Sequence, residues 1–198
     1  MLQRVFLDAN VLCSRTLRDW TCLLRLRTDG MFQLHTTEDV LAETIRTLRR
    51  LRPDLPGGAV TRLRTAVLGA IDELVEDFDA TVPYTGSDPD DRHVHAAALA
   101  CGAHILLTED RGFVTDDDTA YEVYRCDEFF VLVDDSAPSM VREVVLQQAQ
   151  YWSGRPAAER TSLVDALVDA GCPLFALRVE RHLRDVSGAP ASGRGRRR

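Results

Sequence analysis

Two kinds of apolar pattern alternate along the chain. Short continuous runs of β-prone residues (Val5-Phe6-Leu7, Phe32 to His35, His104 to Thr108, Tyr121 to Tyr124) read as strands, and the first and third as strands covered on both faces. Between them the apolar positions recur at helical spacing. Residues 15–28 place Leu17, Trp20, Leu23 and Leu24 on one stripe and stop at Asp29-Gly30. In the next helix Thr36 or Thr37 offers an N-cap, Glu38 and Asp39 sit in the electropositive first turn, and Pro53 ends the run. After a loop at 54–58, residues 59–79 predict one further helix, with Leu63, Ala66, Val67, Ala70, Ile71 and Leu74 on one face. Asp88 suits an N-cap, Pro89 the first helical position and Asp90-Asp91 the first turn of a helix that runs through small residues to Gly102. A helical turn is expected from Asp127.

Beyond residue 138 the pattern becomes purely helical, over 139–152, 157–170 and 173–184. From Val186 onward the residues are small and basic, a composition that predicts disorder. The expected organisation is therefore an α/β domain over 1–135, a helical module over 138–185 and a disordered basic tail over 186–198. Strand and helix in alternation, with continuous apolar strands, predict a mainly parallel sheet. Functional groups in such folds collect at the carboxyl ends of the strands, where Asp8 and Asp110 both fall.

Composition narrows the chemistry. All 24 basic residues are arginine and the chain has no lysine, which excludes a Walker A loop and Schiff-base catalysis. Five cysteines, scattered and without a C-x-x-C pair, suggest neither a disulfide framework nor a zinc site. No run approaches the roughly 18 consecutive apolar residues of a membrane span, and the first is cut at Asp8, too short for a signal peptide. A cytoplasmic protein without a membrane partner is expected. The net charge of −7 disfavours a polyanionic partner on average. Arg46, Arg49 and Arg50 nevertheless form a local basic run, either a solvated face or a rim for RNA phosphates.

Four acids stand at element ends or on helix faces: Asp8, Glu43, Asp91 and Asp110. If folding gathers them within about 5 Å, each like-charge pair costs on the order of 3 kcal/mol at an effective dielectric near 20, and the cluster requires a cation. Oxygen-only donors select Mg²⁺ or Mn²⁺ over Zn²⁺. A carboxylate-held metal suits phosphodiester hydrolysis without a protein nucleophile, and no G-x-S-x-G motif is present.

The segments "VFLDANVL", "EDVLAETIRTLRR" and "DPDDRHVHAAALACGAHILLTEDRGF", in that order over roughly residues 3–133, resemble the PIN domain, in particular ribonuclease toxins of VapC type. The resemblance implies a three-layer α/β/α fold and an Mg²⁺- or Mn²⁺-dependent ribonuclease, with an antitoxin protein and a homodimer as candidate partners. Carried over by position, Asp8, Asp91 and Asp110 are the implied metal ligands, Glu43 the helical catalytic acid, and Asn10 and Thr108 the supporting residues. Asp88 and Asp90 compete with Asp91, which alone immediately precedes the alanine-rich helix; Glu109 is the alternate to Asp110. His93 and His95, two residues apart on a helix, cannot face the same way; His95, one turn after Asp91, reads first as a structural or solvated residue, with an approach to the metal or phosphate as the alternative. Two rival readings remain. A haloacid-dehalogenase-like phosphatase expects a second Asp where Asn10 stands and a lysine the chain lacks. A noncatalytic PIN-like module binding RNA or protein would keep the fold without the chemistry.

Overall fold

Val5, Phe6 and Leu7 have no solvent exposure, because strand β1 (Gln3–Leu7) runs through the middle of the sheet. The computed structural model describes residues 3–28, 30–86, 88–113, 118–154 and 162–187. Strands β2 (Phe32–Thr36), β3 (Glu73–Leu74), β4 (Ile105–Leu107) and β5 (Glu122–Tyr124) complete a five-stranded sheet, ordered β3-β2-β1-β4-β5 with every pairing parallel. Helices cover both faces, giving the expected three-layer α/β/α architecture. The strand order reverses between β1 and β4, so their carboxyl ends border the crevice that such a reversal opens. Register decides what meets there. Leu7 pairs with Leu107, and the Asp8 N–H donates to the Leu107 carbonyl at 3.2 Å, which sets Asp8 beside Thr108.

On the β1 side, a short helix α1 (Ala9–Cys13) follows the strand directly and leads through Ser14 into α2 (Arg15–Arg27). Helix α3 (Glu38–Leu51) is capped by Thr37, whose hydroxyl accepts from the Val40 N–H at 3.1 Å. Its Val40, Leu41, Thr44 and Leu48 are buried, which leaves Glu43 half-buried beside that stripe. The single helix expected over 59–79 is corrected. Helix α4 (Gly57–Leu68) ends at Gly69, and Glu73–Leu74 is strand β3. Asp72 causes the break, since its carboxylate accepts from the Leu34 N–H of β2 at 2.8 Å and pairs with Arg25 of α2.

A 3₁₀ turn, Pro89–Asp91, is capped by Asp88 and runs into α5 (Arg92–Ala100). Ala96, Ala97 and Ala98 are buried, so the small residues let α5 lie close against the core. Helix α6 (Cys126–Ser136) follows β5, and α7 (Pro138–Ser153), α8 (Leu163–Asp169) and α9 (Pro173–Ser187) form the helical C-terminal part. Phe175 of α9 meets Trp20 of α2 edge-on at 4.9 Å and Phe130 of α6 at 5.2 Å. One hydrophobic cluster thus continues from β1 to α9. The expected start of the 157–170 helix and almost all of the expected basic tail lie outside the described residues. Among the described residues no helix is long and apolar enough to cross a membrane.

Candidate metal centre and nuclease site

The residue after β1 carries the most constrained carboxylate. Asp8 is 7 % exposed and is the N-cap of α1, accepting from the Ala9 N–H at 2.5 Å. Its Oδ2 also accepts from Asn10 Nδ2 and from the Thr108 hydroxyl, each at 2.6 Å. Thr108, fully buried, accepts in turn from Asn10 Nδ2 at 2.9 Å and from the Asp110 N–H at 3.1 Å. Asn10 Oδ1 accepts from the Glu109 N–H at 2.9 Å. Asn10 and Thr108 therefore tie the loop after β4 to the loop after β1, and every member of that network has a partner.

Burial pushes the Asp8 carboxyl above its ordinary range; the bonds from Thr108 and Ala9 and the nearby His93 oppose that, and Asp110 adds repulsion. Glu43 is raised by burial and then by Asp8, with His93 and Arg46 acting the other way. Asp91 is pushed up to about 6, first by burial, against a bond from the Tyr84 hydroxyl, with Asp110, Asp88 and Asp8 adding repulsion. The Tyr84 hydroxyl donates to Asp91 Oδ2 at 3.1 Å. Asp8, Asp91 and Asp110, separated by up to 102 positions in sequence, thus lie within reach of one another's charge, and Glu43 lies within reach of that of Asp8.

Glu109 and Asp110 point to different surroundings. Asp110 Oδ1 accepts from the Gly112 N–H at 2.7 Å, close to the acidic cluster. Glu109 turns away and accepts from Arg125 Nη2 at 2.7 Å and from the Cys126 N–H at 2.9 Å. The structure places His95 in the structural role read first from the sequence. His95 is buried, shares a 2.7 Å hydrogen bond with the Tyr121 hydroxyl and stacks near Tyr84, so it is a packing residue. His93 is near the acids, and its Nε2 is buried without a hydrogen-bond partner among the described residues.

A groove of about 420 Å³ runs beside the cluster, lined by Asp39, Ala42, Glu43, Arg46, Asp90 and His93. Of the expected RNA contacts, Arg46 lines this groove and Arg50 is exposed, whereas Arg49 donates to the Leu55 carbonyl and so braces the loop after α3.

A model of the PIN domain matches residues 4–112, just over half of the chain. This chain belongs to the PIN domain family. Searches against curated proteins and against solved structures each returned no match. PIN domains are in general metal-dependent nucleases, and the parallel sheet with acids at its carboxyl edge is that nuclease-type fold.

The fit to a divalent ion has two sides. Among the described residues no three His, Cys, Asp or Glu side chains stand in a ligating arrangement. The donor chemistry does fit. Asp8, Asp91 and Asp110 are oxygen donors whose mutual repulsion is relieved by a cation, and Oδ1 of Asp91 and Oδ2 of Asp110 carry no hydrogen bond among the described residues. Tyr84 and His93 were missed in the sequence. Tyr84 lies in a loop without periodicity; His93 could have been found from its place two residues after Asp91, at the junction of the 3₁₀ turn and α5.

Proposed function

We propose that this PIN domain is an Mg²⁺- or Mn²⁺-dependent endoribonuclease that hydrolyses RNA phosphodiester bonds. The observation that carries the reading is the meeting of the β1 and β4 ends at the switch point of the sheet, where the Thr108 hydroxyl donates to Asp8 and accepts from the Asp110 N–H. Asp8, Asp91 and Asp110 would hold the ion, and Glu43 would orient the attacking water. When bound, the ion supplies a Lewis acid for the phosphoryl oxygens and lowers the pKa of water. Asn10 and Thr108 hold Asp8 in a single orientation, so its charge is aimed before substrate arrives. Arg46, on the wall of the groove, offers a phosphate contact that offsets the acidic surroundings. The role of toxin in a toxin–antitoxin pair, a cytoplasmic location, and an antitoxin or homodimer partner extend this reading through the likeness to VapC-type sequences.

Asp8→Asn tests it, because the amide retains an acceptor for the Ala9 N–H while the charge is lost. Wild-type protein should cleave total RNA with Mn²⁺ and stop with EDTA, and the variant should fall by about 10²-fold or more. Induced expression should arrest growth only for the wild type if the toxin role is correct. Cleavage by Asp8→Asn at the parental rate would falsify the assignment. The second reading, a noncatalytic RNA- or protein-binding module, is favoured by the lack of a ready ligating triad among the described residues. It expects no Mn²⁺ affinity that depends on Asp110.

A further inference from the structure

The loop that carries Asp110 is held from two directions. From the sheet side, Thr108 and Asn10 bind the backbone of Asp110 and Glu109. From the opposite side, the Glu109 side chain, 17 % exposed, is gripped by Arg125 and by the Cys126 N–H, the first residue of α6. Gly171, with φ 86°, forms the turn into α9 directly over this pair: a Cβ there would lie 3.8 Å from Glu109 Oε2 and 4.0 Å from Arg125 Nη2. The next acid of α6, Asp127, is 9 % exposed and accepts from the Leu174 and Phe175 N–H groups at 3.1 and 2.8 Å, which fastens the first turn of α9 to α6. Phe175 then anchors α9 in the core against Trp20 and Phe130.

We infer that the C-terminal helices set the position of Asp110 through Glu109, which acts as a positioning residue for the site and not as one of its ligands. The inference rests on the nuclease reading for its consequence in catalysis, but the mechanical link stands on the hydrogen bonds alone. Glu109 connects the backbone of the Asp110 loop to the start of α6, and Asp127 connects α6 to α9. A capped α6 by itself would need only the Cys126 contact. The additional Arg125 pair and the Asn10 bond to the same residue restrain the loop from three sides.

Glu109→Gln keeps an acceptor for the Cys126 N–H and removes the charge that Arg125 holds, while Arg125→Met removes the other half of the pair at a partly exposed position. Three measurements apply to the full chain: amide exchange at Asp110 and Gly112 without metal, Mn²⁺ affinity by calorimetry, and kcat against KM for RNA. Both variants should show faster exchange at Asp110 and Gly112, with Val5 and Leu34 unchanged as the core control. Mn²⁺ affinity should weaken by about 10-fold in Glu109→Gln, with kcat reduced and KM for RNA held. If Glu109→Gln does not fold, Arg125→Met decides the matter by the same measurements. Parental exchange rates and Mn²⁺ affinity in the variants overturn the inference. If wild type and Asp110→Asn alike bind no Mn²⁺, the nuclease reading fails, and the exchange rates alone then decide for or against the mechanical link.

Discussion

Asp91 shows how one carboxyl records the state of the site. It holds its proton more tightly in the folded chain, at about 6, than in an unfolded chain, where about 3.9 is ordinary. A raised folded value means that the stability tied to this group is fully present below about pH 4 and is lost as pH rises through about 6. Without metal, the protein should therefore lose stability across that window. Asp91→Asn keeps an acceptor for the Tyr84 hydroxyl and removes the charge. Because Asp91 is partly exposed, solvent screening reduces the gain to roughly 0.5–1 kcal/mol, or about 2 °C in Tm. The variant should melt higher than the parent at pH 7.5 and equal to it near pH 4. Saturating Mn²⁺ should reverse the order at pH 7.5, since only the parent keeps the full ligand set. Melts of the two proteins that stay parallel from pH 4 to 7.5 would contradict this.

At the scale of elements, the 3₁₀ turn with Asp91 and the first turn of α5 with His93 are held at the site by a helix whose Ala96, Ala97 and Ala98 permit close packing. Ala97→Leu adds three carbons where no surface is exposed, which should cost about 1–3 kcal/mol and displace the start of α5. Both a lower denaturation midpoint and weaker Mn²⁺ binding are expected; an unchanged midpoint would mean the helix has slack that the burial denies. The elements differ in how far the sequence exposed them. β1 and β4 are buried on both faces, so their apolar runs were readable, and so was the family likeness built around their ends. β3 was not, because two residues paired only with the end of β2 leave no alternation, and Leu74 continues the helical spacing of α4. In the site, Asp8, Asp91 and Asp110 stand at element ends that capping and breaking residues mark, and Glu43 lies on the periodic helix α3. Tyr84 reaches Asp91 seven residues on and Glu109 reaches Arg125 sixteen residues on, each from a loop with no period that would encode the contact. The choice between His93 and His95 depended on where the 3₁₀ turn gives way to α5, a shift of helical phase that spacing alone does not carry.

For the whole molecule, the helices after residue 137 share their core with the sheet domain. Phe175, Val141, Val144, Val145 and Val179 are buried in the same cluster as Phe6, Trp20 and Phe130. Each such side chain contributes about 1.5–3 kcal/mol on burial, so losing several together exceeds much of the 5–15 kcal/mol that typically holds a domain. A chain ending at residue 137 should lack a cooperative thermal transition, as followed by circular dichroism. A sharp melt from that fragment would show that the sheet and its first helices suffice.

The edge-on meeting of Trp20 and Phe175 also furnishes an optical handle. Trp20 is 1 % exposed, and the chain has one other tryptophan, Trp152, near the end of α7. With Trp152→Phe, the intrinsic fluorescence belongs to Trp20 alone. Its emission should shift to the red whenever α9 lifts off α2, so the seating of the last helix can be watched in real time during metal addition, without any attached dye.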